Sequence, residues 1–172
     1  MGKITLILGG ARSGKSKFAL ELAKKSYGRV AFIATCQPRD LEMRKRIVSH
    51  KKARPKHWKT FEEPLELPAL VEKIGAKFNV IIIDCLTLLV SNLFLSGVKA
   101  KEIEKKAGCL CREIKKIKAG AIIISNEVGM GIVPDNALSR EFRDIAGRVN
   151  QIVAAESDMV FAIFSGIPLK IK

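Results

Sequence analysis

The sequence predicts an α/β fold in which a mostly parallel central sheet is covered by helices on both faces. Three observations predict it. Short apolar runs, Ile4–Leu8, Val30–Ala34, Val80–Ile83, Ala121–Ser125 and Met159–Phe164, recur without the polar alternation of a half-exposed strand. Helix-length segments separate them, the pattern of strand–helix–strand units. The 172 residues, 48% of them hydrophobic, suit one domain with a substantial core and exclude a disordered chain. No repeat, linker or low-complexity tract divides the chain, so residues 1–172 are expected to form a single domain.

In chain order, Ile4–Leu8 is the first strand and Ser16–Ser26 the first helix. Val30–Ala34 is a short second strand. Leu41–Lys51 reads as a helix because Leu41, Met43 and Ile47 fall on or near one side. Arg54–Pro64, bounded by prolines, is expected to be an irregular loop. Leu67–Lys77 is a helix that tolerates Pro68 in its first turn. Val80–Ile83 is a buried strand. Leu86–Leu95 and Lys101–Lys118 are helices on either side of the Ser96-Gly97 break, and Ala121–Ser125 is another strand. Leu138–Ala155 forms a long helix, Met159–Phe164 the last core strand, and Pro168–Ile171 a candidate edge strand.

The stretch Gly9-Gly10-Ala11-Arg12-Ser13-Gly14-Lys15-Ser16 stands directly between the first strand and the first helix. Glycine, four residues, then glycine-lysine-serine is the phosphate-binding loop pattern, and this is the context that confirms it. Glycines let backbone N–H groups approach phosphate oxygens, and the helix N-terminus adds partial positive charge. Lys15 is placed to neutralise the terminal phosphates and Ser16 to join a Mg²⁺ shell. The chain is therefore expected to bind a nucleoside triphosphate on a three-layer P-loop NTPase-like fold. Asp84, at the end of Val80–Ile83, is the candidate acid for the same Mg²⁺. Glu127 follows Ala121–Ser125 in the same way, as a second acid or a base, within the glycine-rich loop Asn126–Gly131.

The chain carries 31 basic and 17 acidic residues, a net charge of +14, which favours anionic partners. One Trp, one Tyr and no base-reading motif argue against a nucleic-acid-binding module. Cys36, Cys85, Cys109 and Cys111 have neither disulfide-framework nor zinc spacing and read as reduced, structural thiols. No run approaches the ~20 apolar residues of a membrane span. A cleaved signal peptide would have to consume the phosphate loop, and Leu6 breaks the myristoylation pattern, so the expected location is the cytoplasm.

The segment from Arg44 to Pro55 sets His50 among Arg44, Lys45, Arg46, Lys51, Lys52 and Arg54. Nearby cations disfavour the imidazolium, and a neutral imidazole can attack phosphorus. A solvated basic helix face is the competing reading. His57, in the loop after Pro55, reads as structural. Arg140, Arg143 and Arg148 either reach nucleotide phosphates or pair with Glu141 and Asp144.

The chain resembles the bifunctional adenosylcobinamide kinase/adenosylcobinamide-phosphate guanylyltransferase family of cobalamin biosynthesis. The likeness covers nearly the whole chain. Its matching segments are the phosphate loop, Ile33-Ala34-Thr35, Glu42-Met43 with Arg46-Ile47 and His50, and Arg54-Pro55 with His57-Trp58. It continues through Asp84-Cys85-Leu86-Thr87, Ser91-Asn92, and Asn126-Glu127-Val128-Gly129-Met130-Gly131-Ile132-Val133-Pro134. Arg140, Phe142-Arg143-Asp144, Ala146-Gly147-Arg148, Asn150-Gln151, Ser165-Gly166-Ile167 and Lys170-Ile171-Lys172 close it.

The resemblance implies two reactions. ATP or GTP phosphorylates adenosylcobinamide; GTP then guanylylates a histidine, and the GMP passes to the cobinamide phosphate to give adenosylcobinamide-GDP. The position matching that histidine is His50. Gly9, Gly10, Ala11, Arg12, Ser13, Gly14, Lys15 and Ser16 match positions around the guanine nucleotide, as do Ile33, Ala34, Thr35, Lys51, Lys52, Ala53, Arg54, Glu62 and Asp84. Lys51-Lys52-Ala53 departs from family members that carry an acid or glycine there. The resemblance also implies a homotrimer. A kinase without guanylyltransferase activity would use the phosphate loop and Asp84 but leave His50 and the Asn126–Pro134 loop without a task.

Overall fold

A computed structural model describes residues 1–26, 28–38, 41–52 and 54–172; of Glu42, Met43, Lys45, Arg46, Ser49 and His50 it describes the backbone only. Seven strands, β1 (Ile4–Gly9), β2 (Val30–Ala34), β3 (Lys59–Glu62), β4 (Val80–Asp84), β5 (Gly120–Ile124), β6 (Met159–Phe164) and β7 (Ile167–Lys170), form one sheet in the order β3-β2-β4-β5-β1-β6-β7. Every neighbouring pair is parallel except β6–β7. The helices are α1 (Lys15–Lys24), α2 (Leu41–Lys52), α3 (Leu67–Ile74), α4 (Leu86–Leu95), α5 (Ala100–Lys116) and α6 (Ala137–Glu156). The α/β class and the parallel sheet agree with the sequence pattern.

Alternate residues of the central strands feed two cores. Ile4, Leu6, Ile81, Ile83 and Ile123 pack with Leu110 and Ile114 of α5 and with Val149 and Val153 of α6. Ile7, Ile82 and Ile122 face the other way, onto Ala19 and Ala23 of α1 and onto Trp58. Side chains such as Ile4, Ile81 and Leu110 are fully buried, each worth about 1.5–3 kcal/mol. Burial on both faces explains why these strands read as unbroken apolar runs.

The structure corrects the sequence reading at the first edge. Arg54–Pro64 is not wholly irregular, because Lys59–Glu62 pairs in parallel with β2 as β3. An edge strand with only Phe61 turned partly inward carries little apolar signal. At the other edge β7 is the candidate edge strand, shifted to Ile167–Lys170 and running antiparallel to β6. The helix expected over Leu67–Lys77 tightens into a 3₁₀ turn from Gly75. Among the described residues no helix is long and apolar enough to cross a membrane, and no cysteine is paired in a disulfide.

Candidate active site

The strand order sets the site. The loop leaving β1 must cross β5 and β4 to reach β2, which gathers the C-terminal ends of β1, β5 and β4 around one cleft. Gly9 turns out of β1 at φ +151°, and a Cβ there would lie 2.6 Å from the carbonyl oxygen of Ile163. Gly14 has φ +102°, so an L side chain would be strained there too. The Gly166 N–H donates to the Ser13 carbonyl at 2.8 Å, tying the β6–β7 turn to the loop. Lys15 folds back so that Nζ donates to the Gly10 carbonyl at 2.5 Å. It is 7% exposed, and burial lowers its pKa against the pull of Cys85 and Asp84.

Asp84 ends β4 beside the loop, where the Ser16 hydroxyl donates to Oδ2 at 3.3 Å. A hydroxyl and a carboxylate are hard oxygen donors, the set that Mg²⁺ accepts alongside phosphate oxygens. Among the described residues no cluster of three or more His, Cys, Asp or Glu could hold a metal by itself. The pair therefore fits a cation held jointly by protein and nucleotide.

Thr35 locks the neighbouring strand tips together. Its hydroxyl accepts from the Cys85 N–H and donates to the Cys85 carbonyl, both at 2.8 Å, and its own carbonyl accepts from Asn92 Nδ2 at 2.8 Å. Burial, with Asp84 alongside, pushes the Cys85 thiol up to about 12, which makes it a poor nucleophile.

Arg54 closes the far side of the cleft. Its guanidinium lies 3.5 Å from the centre of the Phe32 ring, and Nη1 donates to Thr60 Oγ1 at 3.4 Å. Buried Nε has no hydrogen-bond partner among the described residues, and burial lowers the pKa of the group. The cleft encloses about 690 Å³ between the phosphate loop, Ile47, Arg54 and Asp84. An annex of about 370 Å³ continues past Arg54 along Leu20, Glu21 and Phe32. At the rim, exposed Lys51 and Glu62 form an ion pair at 2.7 Å.

The structure brings together Ala11, Arg12, Ser13, Gly14, Lys15, Ser16, Ala34, Arg54 and Asp84 as lining of this cleft. It gives others different tasks. Ile33 is wholly buried in the main core and Thr35 is wholly buried as the strand clamp, so their side chains do not face the cavity. Lys52 is exposed at the end of α2. His50 lies on α2 with its side chain outside the described residues, and Ala53 lies outside them altogether. His57 is exposed; its neighbour Trp58 takes the packing role expected of the histidine. Arg140 donates to the Pro134 and Asp135 carbonyls, Arg143 to Asp144, and Arg148 to Glu104 of α5 at 2.6 Å. Sequence reasoning missed Cys36, Cys85 and Leu88 in the cleft and Leu20, Glu21 and Phe32 in the annex. For Cys36 and Cys85 the available signal was their place just beyond strand ends, and for Leu20 and Glu21 their place on the first helix.

Residues 5–171 match the family model described as cobinamide kinase / cobinamide phosphate guanyltransferase. The chain is 41% identical to the bifunctional adenosylcobalamin biosynthesis protein CobU of Salmonella typhimurium, covering 97% of this chain and 98% of that one. It is 40% identical to the corresponding protein CobP of Pseudomonas aeruginosa, over 97% and 96%. Among solved structures, an ATPase from the type III secretion system of pathogenic bacteria superposes with a TM-score of 0.63 at 12% identity. That match covers 99% of this chain but 57% of the ATPase, and at such low identity it speaks to the fold alone.

Proposed function

The chain belongs to the cobinamide kinase / cobinamide phosphate guanyltransferase family, and from that membership we infer a bifunctional enzyme of adenosylcobalamin biosynthesis. It phosphorylates cobinamide with a nucleoside triphosphate and then guanylylates the resulting phosphate with GTP. For the first reaction, Lys15 neutralises the terminal phosphate, and the loop N–H groups with the α1 N-terminus hold its neighbours. Ser16 and Asp84 would hold Mg²⁺, which when bound supplies charge neutralisation on the phosphates.

For the second reaction we propose His50 as the residue that carries GMP. Its neutral imidazole attacks the α-phosphorus; a P–N bond forms, the α–β bridging bond breaks and pyrophosphate leaves. An oxygen of cobinamide phosphate then attacks the same phosphorus and the imidazole departs. Covalent transfer splits one hard displacement into two easier ones. One observation carries the placement: Ile47 and Arg54, which both line the cleft, bracket position 50, and positions 47 and 50 share a helix face. Arg54, with an unpartnered Nε among the described residues, is a ready donor to the nucleotide.

A cytoplasmic homotrimer completes the reading. The absence of a disulfide among the described residues suits a reducing compartment, and exposed Ile132, Val133, Ile167 and Ile171 offer apolar surface for subunits to cover. The test supplies cobinamide with ATP and GTP and separates the products. Cobinamide phosphate followed by GDP-cobinamide is expected. Product that stops at the phosphate, with GTP present, would remove the guanylyltransferase half.

A further inference from the structure

One polar constellation is left without a task by the two reactions as described. Behind the phosphate loop, Thr87, Ser125 and Asn150 are buried and linked in series. Thr87 Oγ1 accepts from the Asn126 N–H at 2.7 Å and lies 3.0 Å from Ser125 Oγ, which donates to Asn150 Oδ1 at 2.7 Å. This fixes the Asn150 amide with its NH₂ turned outward, donating to the Asn126 carbonyl at 3.1 Å and to Glu127 Oε1 at 3.2 Å. The second oxygen of Glu127 has no hydrogen-bond partner among the described residues. Such wiring holds a carboxylate in one orientation.

Its aim follows from the sheet. Beyond β5 the parallel ladder continues, with Ser125 N–H on the Ile7 carbonyl and Glu127 N–H on the Gly9 carbonyl at 3.1 Å. Asp84 is in register with Ile124, so Glu127 stands three residues, roughly 10 Å, farther out along the strand direction. The ladder holds the Glu127 backbone beside the lysine end of the loop: Lys15 Nζ donates to the carbonyl of Gly10, the residue after Gly9. Lys15 marks where the terminal phosphate lies, and Asn126, the residue before Glu127, lines the same cleft.

We propose that Glu127 is the general base of the kinase reaction, a role that rests on the family reading above. As the acceptor hydroxyl oxygen attacks the terminal phosphorus, its proton passes to the Glu127 carboxylate. The new O–P bond forms, the bond to the bridging oxygen breaks, and the nucleoside diphosphate leaves; the proton is returned to water on product release. The guanylyl steps need no such base, because a neutral imidazole and an ionised phosphate are already nucleophiles.

Glu127→Gln tests this, since the amide oxygen still accepts from Asn150 and the loop keeps its shape. Cobinamide phosphorylation should fall about 10²–10⁴-fold in kcat. Self-guanylylation by GTP should stay within a few-fold of wild type. The loss should sit in kcat, with the KM for cobinamide within a few-fold of wild type. Retention of near-normal kinase turnover would overturn the proposal. So would equal loss of both activities with a lowered melting temperature, which would make Glu127 a structural clamp. Wild-type turnover, measured alongside, tests the family reading separately: its absence would remove the kinase assignment and this role with it.

Discussion

Thr35→Val separates a scaffold role from a ligand role at a position the sequence alone associates with nucleotide. Valine keeps the shape of threonine and deletes one oxygen. That oxygen accepts from the Cys85 N–H and donates to the Cys85 carbonyl in a wholly buried setting. The carbonyl retains the Leu89 N–H at 3.2 Å, but no other acceptor is in place for the Cys85 N–H among the described residues. An orphaned buried donor costs about 1–3 kcal/mol, and one lost hydrogen bond on the carbonyl about 0.5–1.5 kcal/mol, so destabilisation of about 2–4 kcal/mol is expected. For a chain of this size that lowers the melting temperature by roughly 5–15 °C. Denaturant unfolding gives the free energy, and nucleotide titration at a temperature where the variant remains folded gives the affinity. Stability within about 0.5 kcal/mol of wild type would refute the clamp, that being the spread of neutral substitutions. Loss of nucleotide affinity at unchanged stability would assign Thr35 to the ligand instead.

Lys15→Ala should weaken nucleotide binding and impair both reactions; undiminished kinase turnover would take the loop out of its assigned role. Gly9→Ala places a methyl 2.6 Å from the Ile163 carbonyl oxygen at φ +151° and should destabilise by more than about 1 kcal/mol, read by thermal melting. Alkylation mapped by mass spectrometry should reach Cys36 and Cys109 well before Cys85 and Cys111, whose thiols burial pushes up to about 12 and about 11. The same shift carries a pH signature. Because the folded Cys85 holds its proton above the ordinary thiol value of 9.0, stability from this group is intact below that pH and is lost as pH rises toward about 12. Unfolding free energy that stays flat across that window would contradict the burial argument.

The sheet was legible because its interior strands are buried twice over, which leaves runs such as Val80–Ile83 with no polar face to disguise them. The edges were less so. β3 has one partly buried aromatic among exposed polar residues, a pattern shared with loops, and its pairing with β2 is a long-range fact that no local signal encodes. The phosphate loop and Asp84 were readable because a fixed spacing forces the backbone and the strand-end acid into one place. Side-chain assignments within matched segments were not. Ile33-Ala34-Thr35 reads as one unit, yet strand alternation and the cross-strand bonds send Ile33 to the core, Ala34 to the cleft and Thr35 to the clamp. The Arg54–Phe32 stack joins residues 22 positions apart and had no sequence signature. The arginines of α6 had two readings, and Arg148 adopted neither, pairing across to α5.

The central claim is that the triphosphate bound by the glycine loop and the imidazole of His50 meet in a single reaction. Intact-mass analysis after incubation with GTP, followed by peptide mapping, tests it directly. One guanylyl group per chain on the peptide containing His50, absent from His50→Ala while that variant still phosphorylates cobinamide, is the predicted result. A folded, kinase-active protein that never acquires the group, or acquires it on another residue, would contradict the account.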